Sequence, residues 1–317
     1  MIPKEYEKYE RVVTVGAVNW KGEWGNKAAN LERMKEKVRE AAQMGINMVC
    51  FPELALSGYE CGEEARRDNR QCSMHREAAE TIPGPSSEEI AGLARQLGVY
   101  VIFGLPEKDD QDPGVLYNSA AVVGPEGILG GYRKLHLATP PIWTEFSCFR
   151  PGSDLPLFET RYGPVGVQIC ADFWAYPELT RILVLRGARI VFVPVGSAAS
   201  PGKIDHMTHG TAAAGSQNRT YMVVSNFVGA ERTLSYFGHS TIAGPRMPRF
   251  CAIYNQGGDA EEIVSATLSF EALANARQTL RHKEFGQWKL IAKAYQEIAA
   301  STETERAGAW AAGQPAT

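Results

Sequence analysis

Val165-Gly166-Val167-Gln168-Ile169-Cys170-Ala171-Asp172 carries a β-branched apolar run straight into a cysteine. A small and an acidic residue follow, then Phe173-Trp174-Ala175-Tyr176-Pro177-Glu178. The run reads as a buried strand, stiff at its side chains, so the residue at its end is held in a fixed place. Pro177 suits a first helical turn and Glu178 complements the positive helix end, which predicts a helix from near Pro177 to about Arg186. A thiol between a rigid strand and a helix start sits among outward-pointing backbone N–H groups, which can hold a thiolate or an oxyanion. On this local pattern alone, small buried hydrophobe and nucleophile are both open readings of Cys170.

Working outward, strands and helices alternate. Apolar runs predict strands at 12–18, 46–51, 100–104, 190–193, 221–226, 250–254 and 263–268. Gly124-Pro125-Glu126-Gly127 predicts a hairpin joining 119–123 to 128–132, and Arg161-Tyr162-Gly163 a second one joining 157–160 to 164–169. Leu31, Met34, Val38 and Ala41 recur at helical spacing. Ser86 with Glu89 reads as a capping box for a helix to Leu97, with Gly98 as its stop. A further helix is expected near 209–217. Strand pairs mixed with αβ units predict an α/β fold of two packed sheets with helices outside. The chain divides into a domain over 1–285 and a C-terminal helix with an Ala/Gly-rich tail over 286–317, an expected interface arm.

Composition narrows the function classes. The 317 residues are 44% hydrophobic and 22% charged with net charge −3, which gives no electrostatic footprint for nucleic acid or an anionic membrane. No apolar run reaches the ~20 residues of a membrane span, and the charged N-terminus lacks a signal-peptide core. Cys50, Cys61, Cys72, Cys148, Cys170 and Cys251 form no CxxC pair, so their spacing suggests neither zinc site nor disulfide framework, and a reducing cytoplasm is the expected setting. His206, His209 and His239 lack a carboxylate or cysteine to complete a metal set, so no metal is expected.

Three reactive positions share a context. Glu53 follows the run 46–51, Lys134 follows 128–132, and Cys170 ends 165–169. Each lies just past a strand, where a sheet edge converges side chains on one pocket. A thiolate to attack, a carboxylate to move protons and a cation to hold developing charge make a complete set for acyl transfer.

These segments carry a resemblance to the nitrilase, or carbon–nitrogen hydrolase, superfamily. The matching stretches are Phe51-Pro52-Glu53-Leu54 with Gly58-Tyr59, Tyr132-Arg133-Lys134-Leu135-His136-Leu137, Thr144-Glu145-Phe146 leading to Phe149-Arg150-Pro151-Gly152, and Ile169-Cys170-Ala171-Asp172 with Tyr176-Pro177-Glu178. Gln217-Asn218, Asn226 and Phe237-Gly238-His239-Ser240 look like later landmarks. The resemblance covers roughly residues 10–285. It implies a four-layer α-β-β-α sandwich, pairing as a homodimer or higher even-numbered oligomer, and cofactor-free hydrolysis of a non-peptide C–N bond in a small-molecule amide. It also implies Cys170 as nucleophile, Glu53 as general base, Lys134 as stabiliser of the tetrahedral intermediate, Glu145 as the second glutamate supporting Lys134, and the Ala171 N–H in the oxyanion site. One residue more than the family pattern separates Cys170 from Pro177-Glu178, which predicts a bulged helix start.

Substrate choice rests on fewer residues. Cys170-Ala171-Asp172 resembles the amidase and carbamoyl-amide branches, since true nitrilases tend to carry Cys-Trp-Glu. Enzymes of N-carbamoyl amino acids usually present arginines after the nucleophile; here Phe173 and Trp174 stand there. Tyr59, Trp143, Ala171, Phe173, Trp174 and Ser197 make up the candidate substrate-binding set, aromatic enough for a neutral or cationic amide. Glu60, Glu63 and Glu64 are either a solvated loop face or an attractor for an amine. The leading expectation is an amidase releasing ammonia or an amine through a thioester. The alternatives are an N-carbamoyl amine (carbamoylputrescine-like) hydrolase releasing ammonia and carbon dioxide, an acyl transferase, and an inactive scaffold.

Overall fold

A computed structural model describes residues 4–61, 72–138, 145–279 and 282–311. Two compact units result, Met1–Gln278 and Thr279–Thr317. In the second, a single turn at His282–Phe285 precedes the helix Trp288–Ala311.

The first unit contains two six-stranded sheets. One runs in the order Glu262–Ser269, Val12–Asn19, Met48–Cys50, Tyr100–Lys108, Leu116–Gly124, Gly127–Arg133. The other runs Ala252–Gln256, Thr241–Gly244, Tyr221–Ser225, Ile190–Pro194, Val165–Val167, Leu157–Phe158. In each sheet three consecutive strands are parallel: Val12–Asn19, Met48–Cys50 and Tyr100–Lys108 in the first, Val165–Val167, Ile190–Pro194 and Tyr221–Ser225 in the second. The flanking strands are antiparallel.

Strand alternation sorts the apolar residues into layers. Val13, Val15, Met48, Cys50, Tyr100 and Ile102 face Val165, Val167, Ile190, Phe192, Tyr221 and Val223 across the space between the sheets. The intervening Val49, Phe51, Val101 and Phe103 pack outward on Leu31, Met34, Val38, Ile90 and Ala94 of the helices Lys27–Gln43 and Pro85–Leu97. Val191, Val193, Met222 and Val224 pack outward on Leu183 and Met207 of the helices Pro177–Leu185 and Lys203–Asn218. Both faces of each sheet are therefore covered, giving the expected α-β-β-α sandwich.

Both predicted hairpins form, and Gly98 ends its helix at φ 69° in the left-handed conformation glycine favours. The capping box is misplaced. The helix starts at Pro85 after Gly84, whose N–H donates to Ser87 Oγ, while Ser86 donates to Glu80. Proline at the first helical position outweighs the Ser-x-x-Glu signal. The antiparallel ribbon Val228–Glu231 with Leu234–Phe237, and the strand Thr241–Gly244, were not anticipated. Among the described residues no helix is long and apolar enough to cross a membrane.

The site follows from the parallel strands. Glu53, Cys170, Gly196, Ser197 and Asn226 all lie just past their carboxyl ends, where open α/β sheets gather side chains. The two sheets are pinned together at this end. The Ser225 hydroxyl reaches the carbonyls of Val18 at 2.7 Å and Cys50 at 2.9 Å.

Candidate active site

Glu53 sits in a loop held by close backbone contact. Leu56 N–H donates to Gly104 O and Gly104 N–H to Pro52 O, while Leu54 takes φ 51°. Lys134 leaves its strand with its own N–H on Asn118 O and its carbonyl accepting from Gly152 N–H, both at 2.8 Å. Glu145 opens the one-turn helix Glu145–Cys148.

These elements bring three charges together out of water. Lys134 Nζ donates to Glu53 Oε1 at 2.6 Å and to Glu145 Oε1 at 2.8 Å. All three side chains are buried. Glu53 Oε1 also accepts from Asn118 Nδ2 at 2.8 Å, and its Oε2 from Gly196 N–H at 2.8 Å. Glu145 accepts from the Tyr59 hydroxyl at 2.6 Å and from Ala138 N–H at 3.1 Å.

The electrostatics follow from two carboxylates sharing one ammonium. Burial alone would push Lys134 down, but Glu145 and Glu53 outweigh it and hold the lysine charged. Burial pushes Glu53 above a free glutamate, with Lys134 pulling the other way and Glu145 adding to the rise. The excess negative charge makes Glu53 the natural resting place for an arriving proton.

Cys170 is held at φ 45°, ψ −101°, a strained conformation for a residue with a side chain. Its N–H is tied to Pro194 O at 3.0 Å. Burial, then the charge on Glu53, pushes its thiol up; Lys134 and a hydrogen bond from the Gly196 N–H oppose that rise. The balance of these effects favours the protonated sulfur.

The helix after the cysteine begins at once, at Ala171–Trp174, and a second starts at Pro177. Ala175 and Tyr176 lie in the break between them, which absorbs the extra residue. As the first helical residue, Ala171 has an N–H without an intrahelical acceptor, beside the thiol.

Asp172 was read only as a branch marker, and its structural part is larger. Fully buried, it accepts from the Tyr132 hydroxyl at 2.7 Å, His136 N–H at 2.8 Å, and Leu135 and Ile169 N–H groups at 3.4 Å each. It bolts the cysteine loop to the lysine loop. The His136 ring lies 2.9 Å from Asp172 and stacks on Tyr176 at 3.4 Å.

The aromatic set divides. Tyr59 belongs to the glutamate–lysine chain. Phe173 packs into the outer core with Leu183, Val193 and Met207, so it offers a pocket little surface. Trp174 is partly buried against His206, with ring centroids 4.8 Å apart. Ser197 N–H donates to Asn226 Oδ1 at 2.9 Å, fixing the turn after Gly196. Trp143, Glu63 and Glu64 lie outside the described residues. Glu60 is buried rather than on a solvated face, and it accepts from Thr233 N–H at 2.9 Å. Two polar residues escaped the sequence reading: Asn118, an amide inside an apolar strand, and Glu231, which accepts from Tyr59 N–H at 3.1 Å and Glu60 N–H at 2.8 Å.

Fold and site together define a class, four-layer sandwiches with a buried glutamate–lysine pair close to a strained cysteine. Residues 13–278 match the carbon-nitrogen hydrolase family, and the chain belongs to it as an enzyme acting on carbon–nitrogen bonds. A probable nitrilase of Schizosaccharomyces pombe is 39% identical over 219 residues, covering 68% of this chain and 75% of the relative. Omega-amidase NIT2 of Danio rerio is 31% identical over 265 residues, covering 80% of this chain and 87% of the relative. The crystal structure of Saccharomyces cerevisiae Nit3, a nitrilase-superfamily member, superposes with TM-score 0.73 at 23% identity, covering 86% of this chain and 96% of that one.

Proposed function

We propose that this enzyme hydrolyses a small-molecule amide through a thioester on Cys170, releasing ammonia or an amine. The observation that carries the reading is the buried chain Glu53–Lys134–Glu145, whose charges bear directly on the Cys170 thiol. The Cys170 sulfur attacks the amide carbon while its proton passes to Glu53. The oxyanion is met by the Ala171 N–H and by Lys134, two of whose three N–H bonds are committed to Glu53 and Glu145. Glu53 returns the proton to the departing nitrogen, the C–N bond breaks, and a thioester remains. Water then adds with Glu53 taking its proton. The acid leaves, and that proton goes back to the sulfur.

A relative named omega-amidase supports the amide, and relatives named nitrilase keep nitriles in the substrate test. A cytoplasmic setting is part of the proposal, supported by the absence of any disulfide among the six cysteines, all of which lie among the described residues. So is assembly as an even-numbered homo-oligomer, supported by the family resemblance.

Intact-protein mass spectrometry with ammonia detection, over amides, N-carbamoyl amines and nitriles, tests the reading. An acyl adduct on Cys170 with ammonia from amides is expected, and Cys170→Ala and Glu53→Gln are each expected to abolish turnover without loss of fold. Carbon dioxide from carbamoyl amines transfers the assignment to that substrate class. A folded Cys170→Ala protein with wild-type turnover ends the nucleophile assignment.

A further inference from the structure

Away from the catalytic sulfur, three cysteines and a histidine meet in one buried spot. Cys61 ends the loop that carries Gly58 and Tyr59. Cys72 stands immediately before the helix Ser73–Ala78, which carries His75, and Cys148 closes the turn Glu145–Cys148. Cys61 Sγ lies 3.2 Å from Cys148 Sγ and 4.0 Å from His75 Nδ1. The ligand atoms of Cys61, His75 and Cys148 all fall within 4.8 Å of one another. Cys72, buried at the start of the next helix, interacts electrostatically with Cys148, Cys61 and His75 and is the nearest further thiol by sequence to His75. All four residues are buried.

The distances are those of donors around a shared centre. A disulfide has sulfurs ~2.05 Å apart, far closer than these. Around a tetrahedral zinc two sulfurs lie roughly 3.8 Å apart and a sulfur and a nitrogen roughly 3.5 Å, so the 3.2 Å and 4.0 Å seen here each need a shift of only about half an ångström to close on an ion. The histidine is oriented to match. Its Nε2 lies 3.2 Å from Gly58 O, which can only accept, so Nε2 carries a proton and Nδ1 is the nitrogen that faces the sulfurs. A backbone carbonyl holding the far ring nitrogen is how ligating histidines are commonly fixed.

We propose that Cys61, Cys72, His75 and Cys148 bind one zinc ion. Three thiolates and one imidazole fill a tetrahedron and leave no position for water, so the ion is structural. Binding releases the three thiol protons. The site clamps two backbones that matter to catalysis. Tyr59 is two residues before Cys61, Glu145 is three before Cys148, and their side chains share the 2.6 Å hydrogen bond. Sequence spacing hid the set, because only Cys72-x-x-His75 is local and Cys61 and Cys148 are 87 residues apart.

The metal is read without turnover, so this proposal and amide hydrolysis fail separately. The full chain is produced with zinc supplied and purified without chelator. Elemental analysis is expected to give one zinc per chain, and X-ray absorption three sulfurs at ~2.3 Å and one nitrogen at ~2.0 Å. Cys61→Ser and Cys148→Ser are expected to retain less than roughly a tenth of that zinc, and Cys251→Ser all of it. If the serine variants do not fold, the wild-type absorption spectrum still decides. A zinc-free chain, zinc seen only with nitrogen and oxygen neighbours, or a mass two hydrogens short from a bridge between these cysteines overturns the proposal.

Discussion

Lys134 Nζ donates to Glu53 Oε1 at 2.6 Å, across 81 residues of sequence, with both side chains sealed from solvent. Because Glu145 shares the same ammonium, removing it strands two carboxylates in the interior. Lys134→Met is therefore expected to cost stability, about 3–5 kcal/mol in urea unfolding, as well as activity. Adding Glu145→Gln to Lys134→Met is expected to recover part of that stability and none of the turnover. A Lys134→Met protein as stable as the wild type contradicts the pairing.

The pH profile carries a sign. Glu53 must be ionised to take the thiol proton, and burial with Glu145 raises it above a free glutamate. A raised carboxyl picks up its proton at higher pH, so the acid limb of kcat/KM is expected above the ordinary range near ~4.3. Glu145→Gln removes one cause of the rise, so the acid limb of its residual activity is expected to move to lower pH. A shift upward means that Glu53 is not the titrating group. Cys170 is also raised, so its alkylation by iodoacetamide is expected to climb into the alkaline range without a plateau near neutrality.

Residues ending apolar runs were legible from the chain, because strand stiffness and position follow from local side chains. Glu53, Lys134 and Cys170 each stood at such an end, and the covered faces of 46–51 and 165–169 read as continuous apolar runs for the same reason. Bracing residues were not legible. Asn118 lies 65 residues from Glu53, and Glu231 is 172 from the Tyr59 N–H it accepts, so only the tertiary fold supplies their partners. The side on which Phe173 packs was not legible either, because an aromatic beside a cysteine looks the same in sequence whether it faces a pocket or the core.

Asp172 gives a prediction about bracing. Its two oxygens accept from the hydroxyl of Tyr132 and backbone N–H groups of both loops, with the His136 ring nitrogen also 2.9 Å away. In Asp172→Asn an NH2 must face some of those donors whichever way the amide turns. Leaving one or two buried donors unmatched costs roughly 2–4 kcal/mol, to be read as a lower urea midpoint. Because both loops move, kcat is expected to fall more than KM rises. An Asn variant with unchanged stability and kcat removes Asp172 from the positioning of the site.

Gly104 supplies the sharpest steric test. A Cβ there would stand 2.2 Å from Leu54 N, 2.5 Å from Pro52 O and 2.8 Å from the Glu53 carbonyl carbon. All three are backbone atoms of the loop presenting Glu53, so no side chain can swing aside to make room. Gly104→Ala must displace that loop, and a shift near 1 Å costs about 10²-fold in rate when a proton-transfer group is misplaced. Gly92→Ala is the control. It lies inside the helix Pro85–Leu97 with nothing within 4 Å of the added carbon. That substitution is expected to stabilise the protein by roughly 0.5–1 kcal/mol through helix propensity, leaving kcat/KM unchanged. If Gly104→Ala keeps wild-type kcat/KM while folded, the Glu53 loop is not held by the strand beneath it, and the close approach has no part in catalysis.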